Sequence, residues 1–471
     1  MCVGTLSATL VSLFDFPMRR FFEWALLLPM AMPAYVVAYA YTDFLQYSGP
    51  MQAWLRTHWQ LQGRVLPEIR NAWGAAVVFT FVLYPYVYLL VRAALSQRAL
   101  HLLEAARLLG ANATRRIRCI ALPLCRPAIA AGVALALMET LADFGLSSYF
   151  GIQTFTTGIY KAWLVMDERI VAAQLSSVLL VLVAAVLWME QRAQARLRFS
   201  SQRAGARPSS QAQPIQLLGW RATAAWATCA IPVCLGFVLP VLFLLRAFVF
   251  DGDEAVHWDR FIHWTCASLS LGVLTACLAT LLAIGFSAQS RLQPSCWSVP
   301  VSRLVGLGYA VPGAVIVVGL LLPLGWLQQV WPSSGVGYWL TATVLGVLWA
   351  YCVRFLSVAM QSVQAGYARI PANMDESART LGSGSWRLAA RVHAPLMREP
   401  IFAALLLVFV DVMKELPATL VLRPFNMDTL AVMAYQLARD ERLAEAALPS
   451  LALVAVGLLP ILLLNKTLRA P

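Results

Sequence analysis

Lysine is almost absent from this chain: Lys161, Lys414 and Lys466 are the three among 471 residues, preceded by Tyr, Met and Asn. A phosphate-binding loop needs a lysine directly after a glycine to reach the nucleotide phosphates, so no ATPase site of that kind is present. Charge of either sign is scarce, at 13% of residues. With 60% hydrophobic residues and a mean hydropathy of +0.69, the polar surface is too small for a soluble globule. The five histidines form no H-E-x-x-H and the nine cysteines no C-x-x-C, which removes the compact zinc motifs and any disulfide framework. The cysteines read as small buried hydrophobes. No nucleophile and base, or metal-ligand set, stands at a spacing that would suit a membrane-embedded enzyme. The opening "MCVGTLSATLVSLFDFPMRR" has no charged region ahead of its apolar run. It is therefore not read as a cleavable signal but as the tail of a helix whose beginning is missing.

What the chain does have is apolar runs long enough to cross a bilayer, at about 20 residues per helix. They fall at 21–45, 71–95, 128–150, 172–190, 222–248, 266–287, 304–326, 340–362, 400–422 and 447–464, so about ten transmembrane helices are expected. All must be helical, because backbone groups in lipid have to be satisfied within their own segment. With the segment between the second and third spans placed inside, inner loops and tails hold 23 of the 36 basic residues and outer loops hold 9. The positive-inside rule then puts both termini in the cytoplasm. The net charge of +13 marks topology, and no nucleic-acid partner is expected, because basic residues nowhere interleave with aromatics.

Two cationic, helix-forming segments interrupt this apolar pattern: "EAARLLGANATRRIRCIALPLCR" at 104–126 and "ESARTLGSGSWRLAARVHAPLMR" at 376–398. Laid 272 residues apart they share nine identities: Glu104 with Glu376, Ala106 with Ala378, Arg107 with Arg379, Leu109 with Leu381, Gly110 with Gly382, Arg115 with Arg387, Pro123 with Pro395, Leu124 with Leu396 and Arg126 with Arg398. That is an internal repeat. The register continues, setting Glu139 on Asp411 and Asp143 on Glu415. Both loops face the same side, so the two copies should be parallel, related by a pseudo-two-fold axis along the membrane normal. A polar stretch rich in Arg, Gln, Ser and Ala, at 189–214, separates them.

Each loop reads as a helix ended by a left-handed glycine, then a second helical stretch that stops before a proline. An amphipathic element held in the headgroups would need no matched Glu, Ala, Gly and Pro, whereas a symmetric dimeric partner would need two equivalent sockets. Docking of a protein partner is therefore the expectation, with His101 and His393 in surface positions. A secondary transporter can also have duplicated halves but has no use for duplicated cytoplasmic sockets.

The pattern E-A-A, three residues, G, nine residues, I-x-L-P resembles the signature of permease subunits of ATP-binding cassette importers. The first copy fits with Glu104, Ala105, Ala106, Gly110, Ile120, Leu122 and Pro123, while the second has Ser377, Val392 and Ala394 at three of those places. The stretches 28–50, 138–163, 308–324 and 414–432 resemble the fused, two-copy ferric iron permeases of bacteria. The resemblance implies a first permease domain over 1–190, shortened at its N-terminus relative to the family's six helices per copy. It implies a linker over 191–221 and a second permease domain over 222–471. It also implies coupling loops that dock a separate ATPase dimer, with Glu104, Ala105, Ala106, Arg107, Gly110, Pro123, Glu376, Ala378, Arg379, Gly382 and Pro395 as the loop residues. ATP would be held by that partner and no cofactor by this chain. Further partners would be a periplasmic or lipid-anchored substrate-binding protein and the lipid of the bacterial inner membrane. Thiamine, sulfate and polyamine permeases share the architecture and stand as the alternative.

Glu139, Asp143, Asp411 and Glu415 lie within spans at matched depth, where a charge costs about 3 kcal/mol on the lenient scale. They are candidates for a translocation path, since carboxylates suit a hard cation such as ferric ion. A structural use is open as well, with Asp411 and Lys414 able to pair and the others able to brace kinked helices. The acidic outer segment "DGDEAVHWDRFIH" at 251–263 reads as a solvated loop or as a docking surface for the binding protein. Pro29, Pro33, Pro312, Gly313 and Pro417 should break helical hydrogen bonds inside spans, as packing kinks or as hinges.

Overall fold

The computed structural model of the protein describes residues 1–60, 62–95, 105–203, 215–251, 257–292, 296 and 298–469. The helices run in the order α1 (Cys2–Leu13), α2 (Arg19–Ala25), α3 (Ala34–Leu45), α4 (Pro50–Trp59), α5 (Ala72–Ala94), α6 (Leu122–Ala142), α7 (Gly145–Tyr149), α8 (Phe155–Tyr160), α9 (Arg169–Arg203), α10 (Trp220–Val233), α11 (Leu239–Asp251), α12 (Trp258–Leu292), α13 (Gly313–Val330), α14 (Val344–Tyr367), α15 (Ala372–Thr380), α16 (Arg398–Lys414), α17 (Pro417–Leu422), α18 (Leu430–Arg439) and α19 (Leu443–Arg469), with shorter helical turns between some of them. The β-structure among the described residues is one parallel pair of two-residue strands, β1 (Phe14–Asp15) and β2 (Ile215–Gln216).

Among the described residues, eight helices are long and apolar enough to cross a membrane, and a ninth crossing results if the pair Arg19–Ala31 and Ala34–Trp59, bent by 88°, counts as one. The remaining expected span, 400–422, is broken into α16 and α17. Both breaks have a local cause. Pro33 and Pro417 cannot donate to the preceding turn; Met32, directly before Pro33, is extended, while before Pro417 the extended residue is Glu415 and Leu416 is back in the helical region. Leu28–Ala31 accordingly closes as a tight 3-10 turn before α3, and Glu415 adopts extended backbone before α17. The third span begins earlier than its apolar run, because Thr114–Ala142 is one helical stretch of 29 residues.

The helices form two compact units, each drawing on chain from both sides of the polar stretch. Unit 1 comprises Met1–Thr154, Val181–Glu254 and Ala438–Pro471. In it α5 packs against α1 and α6. The approach is close because small residues line the contact. A Cβ on Gly4 would come within 2.6 Å of the Tyr84 carbonyl oxygen, and one on Gly132 within 2.7 Å of Val87 Cα. Where lipid offers no hydrophobic drive between helices, such backbone proximity supplies the van der Waals contact that holds them. Tyr84, Val87, Tyr88 and Val91 of α5 are buried there against Ala8, Cys125 and Ala128. The π-helical turn Cys234–Val238, between α10 and α11, misdirects carbonyls from the helical ladder, and the Tyr41 hydroxyl donates to Leu235 O at 2.6 Å. That side chain repairs a backbone group that lipid could not.

Unit 2 comprises Phe155–Leu180 and Ala255–Leu437. Its core is the mutual packing of α12, α14 and α16, with Ala276, Ala279 and Ala283 of α12 facing Tyr351 and Phe355 of α14 and Val408 of α16. The 272-residue register holds in this packing. The α5 and α6 pair of unit 1 corresponds to the α14 and α16 pair of unit 2. α1 corresponds to residues 274–285 within α12 and lies on α5 as α12 lies on α14.

Filling the α5–α6 contact should cost about 1–3 kcal/mol. Gly132→Val is expected to lower the melting temperature of the detergent-solubilised protein, whereas Gly285→Val, with nothing within 4 Å, should leave it close to wild type. Equal melting curves for the two variants would contradict the close packing.

Candidate functional site

The two cationic loops have the same backbone. In the first, helix ends at Gly110, φ +80°, where the Gly110 N–H donates to Arg107 O at 3.0 Å and the Ala111 N–H to Ala106 O at 2.9 Å. In the second, Gly382 has φ +79°, with Gly382 N–H to Arg379 O at 3.0 Å and Ser383 N–H to Ala378 O at 3.0 Å. This crossed pair of bonds is the Schellman cap, and its left-handed residue strains any side chain. Space is not the constraint, since a Cβ on either glycine would meet nothing within 4 Å. Glu104 and His101 lie outside the described residues.

After the turn each copy forms a short helix, Ala113–Arg116 or Ser385–Leu388, and then one π-helical turn, Ile117–Ala121 or Ala389–His393. The expected stop before proline does not occur. Pro123 and Pro395 sit in the first turn of the helix that follows, where a missing N–H costs little. The preceding π turn absorbs the lost bond; in the first copy the loop then runs unbroken into the span as Thr114–Ala142, whereas in the second a turn at Met397 separates Ala394–Leu396 from α16. Ala105, Arg107, Glu376 and Arg379 are exposed, as are Leu109 and Leu381, at 87% and 86%, while Ala106 is buried beneath them. Each elbow thus presents charge around an outward leucine at matched register, joined in the first copy by the equally exposed Leu108, a surface suited to a protein rather than to water alone.

The second elbow also has an anchor that the sequence reading missed. His393, expected at the surface, is buried at 1% exposure, and its Nε2 lies 2.9 Å from Asp375 Oδ1. Asp375 Oδ2 accepts from Arg291 Nε at 2.7 Å. The same guanidinium donates to the carbonyls of Tyr367 at 2.7 Å and Ile370 at 2.8 Å, so one side chain of α12 ties the end of α14 to α15. The Tyr367 ring meets His393 edge-on at 5.3 Å. Burial alone would raise the Asp375 carboxyl, but the bonds from Arg291 and His393 outweigh it and hold the group below the usual carboxylate range.

The span carboxylates sit at two equivalent helix breaks. α6 stops at Ala142, Asp143 is extended, and its Oδ2 accepts from the Ser147 N–H at 3.0 Å and the Ser147 hydroxyl at 3.1 Å, capping α7. α16 stops at Lys414, and the extended Glu415 caps α17. Its Oε1 accepts from the Ala418 N–H at 3.0 Å and its Oε2 from the Thr419 N–H at 3.1 Å. Glu415 is further paired with Arg354 of α14, Nη1 to Oε1 at 3.2 Å, with its side chain 2% exposed. Gly313 makes room for the pair, since a Cβ there would lie 2.8 Å from Glu415 Oε1 and 2.9 Å from Arg354 Nη1. The Tyr160 hydroxyl donates to the Pro417 carbonyl on the same broken helix. Glu139 and Asp411 stand four residues earlier on the same faces, with Glu139 Oε1 accepting from the Tyr86 hydroxyl at 3.5 Å.

Other expected features contribute less. Residues 252–256 of the acidic segment lie outside the described residues, and no group of three or more His, Cys, Asp or Glu fit to hold a metal ion is found among the described ones. Cys125 and Cys229 are buried as expected, while Cys2, Cys119, Cys234, Cys266, Cys277 and Cys296 are exposed.

Comparison with known families decides what this duplicated arrangement belongs to. The description of binding-protein-dependent transport system inner membrane components matches residues 1–199 and 279–469, one stretch in each copy. The chain belongs to that family. Family members are transport permeases of the inner membrane, and the two matched stretches carry the two elbows. The chain is 24% identical to the Fe(3+)-transport system permease protein FbpB 2 of Haemophilus influenzae over 466 residues, 98% of this chain and 86% of the relative. It is 24% identical to the ferric transport system permease protein FbpB of Actinobacillus pleuropneumoniae over 88% of this chain and 61% of that protein. It is 31% identical to the inner membrane ABC transporter permease protein YdcU of Escherichia coli over 37% of this chain and 60% of that protein.

Two outcomes follow from the geometry. Gly313→Ala should separate Arg354 from Glu415 and lower stability by about 1–3 kcal/mol, against little change for Gly319→Ala, which has open space, in thermal melts of the purified protein. Because the folded Asp375 carboxyl lies below its ordinary value of about 3.9, its stabilisation is complete above that pH and is lost as pH falls through the lowered value. The difference in melting temperature between wild type and Asp375→Asn should therefore hold constant from neutral pH to about pH 4 and shrink only below it.

Proposed function

We propose that this chain is the membrane component of an ATP-binding cassette importer that moves ferric iron across the bacterial inner membrane, supplying both permease copies in one polypeptide. A separate ATPase dimer docks on the two elbows, around Ala105, Ala106, Arg107 and Gly110 in one copy and Glu376, Ala378, Arg379 and Gly382 in the other, with Glu104 completing the first. Both termini and both elbows lie on the cytoplasmic side, and a periplasmic or lipid-anchored binding protein delivers the cargo from outside. The observation that carries the reading is the pair of matched Schellman-capped elbows, within a chain similar along nearly its whole length to a permease named for Fe(3+).

The chemistry fits that cargo. Ferric ion is hard and seeks oxygen ligands. Glu139 and Asp411 offer carboxylates along the path, while Asp143 and Glu415 set the direction of the half-helices that follow them. Closure of the ATPase dimer would pull on the elbows, and the helical segments that lead from each elbow into its span would pass the pull to these breaks.

Uptake of radiolabelled ferric iron into vesicles holding this chain, its ATPase and its binding protein tests the proposal. Uptake should require ATP and should disappear in Gly110→Asp with Gly382→Asp while the protein stays in the membrane. ATP-dependent uptake of thiamine or sulfate but not of iron would keep the importer and remove the iron assignment. Uptake indifferent to ATP and to both glycines would remove the importer itself.

A further inference from the structure

The two elbows share a glycine-capped backbone, and the residues that anchor the second are not repeated at the matching positions of the first. Positions 272 residues before Arg291, Asp375 and His393 hold Arg19, Leu103 and Ala121. Arg19 serves a different end, donating from Nε to Val11 O at 2.8 Å and lying 3.8 Å from Glu23. Those two places thus hold leucine and alanine where the second copy has a carboxylate and an imidazole. In the second copy the network joins four pieces of chain: the end of α12, the residues just after α14, α15 on the near side of the glycine turn, and the π turn on its far side. His393 sits in the π turn and Asp375 one residue before Glu376, so the bond between them closes the elbow across its own turn. Arg291 then fixes that closed elbow to the two long helices of the core.

We propose that Arg291, Asp375 and His393 are positioning residues that make the second elbow a stiff lever, so that movement of a docked ATPase is transmitted through it into the span that follows. The proposal rests on the reading of the elbows as ATPase sockets. It concerns transmission after docking: the docking surface is the exposed face of Glu376, Arg379 and Leu381, whereas the anchor faces inward.

The test uses the whole complex in proteoliposomes, with ATP hydrolysis and radiolabelled ferric iron uptake measured on the same preparation. Asp375→Asn keeps the size of the side chain and removes its charge. Iron moved per ATP hydrolysed should fall about tenfold, within the range typical of coupling between sites, while hydrolysis and co-purification of the ATPase persist. Asp375→Glu should recover part of the ratio. Loss of ATPase binding, or equal loss of hydrolysis and uptake, would overturn the proposal, because the cluster would then serve docking or folding alone. An unchanged ratio in Asp375→Asn would overturn it too. Gly110→Asp with Gly382→Asp, run in parallel, separates the two levels: wild-type uptake in that variant removes the socket reading itself, whatever Asp375 does.

Discussion

Every backbone amide that enters hydrocarbon has to find its partner inside the protein, and the rest of this structure is arranged around the places where the helical ladder is interrupted. Asp143 and Glu415 are the main repairs. At each, a span ends, one residue is extended, and the carboxylate accepts the N–H groups of the short helix that follows. A water-exposed helix end would have solvent for this purpose, while a membrane span has side chains only. The same necessity accounts for the Tyr41 hydroxyl on a carbonyl of the π turn and for the Tyr160 hydroxyl on the carbonyl of Pro417. Breaks of this kind cost stability, and their matched recurrence makes them a shared feature of both copies.

Burying a carboxylate for a capping role raises a second problem, which the copies solve differently. Glu415 faces Arg354, and Gly313 clears the space between them, whereas the position matching Arg354 is Val82. Asp143 instead takes both the amide and the hydroxyl of Ser147. A buried pair such as Arg354 with Glu415 adds little net stability over a hydrophobic pair, but removing one partner leaves a stranded charge. Its value lies in fixing one arrangement of α14, α16 and α17.

Much of this was legible in the sequence because it repeats. The 272-residue offset aligned the glycines, the prolines and the span carboxylates, and the glycines, the prolines and the pair Asp143 and Glu415 each share a backbone role in the structure. Gly110 and Gly382 could be assigned left-handed geometry from local chemistry alone, since only helix-forming residues precede them. Pro123 and Pro395 were read as stops because proline ends most helices, and a π turn that lets the chain pass through leaves no signature in composition. Arg291 with Asp375, and Arg354 with Glu415, are separated by 84 and 61 residues, and no periodicity within a helix connects them. His393 looked like a surface residue because its neighbours Arg391 and Arg398 are charged. Its burial depends on Tyr367 and Asp375, which reach it only through the fold.

The residues that escaped the repeat are informative for the same reason. Where the two copies agree, the agreement tracks backbone requirements: a cap, a break, a close helix contact. Where they differ, at Leu103 against Asp375, Ala121 against His393 and Val82 against Arg354, the second copy has buried ionisable groups paired across separate elements. Such groups restrict motion more than they add stability, because each is held by partners on two or three separate elements. A fused chain frees its two copies from identity, which a homodimer of one copy could not escape. The second copy places ion pairs both at its elbow, Arg291 with Asp375, and at the break that ends the same span, Arg354 with Glu415, whereas α6 approaches α5 closely through Gly132.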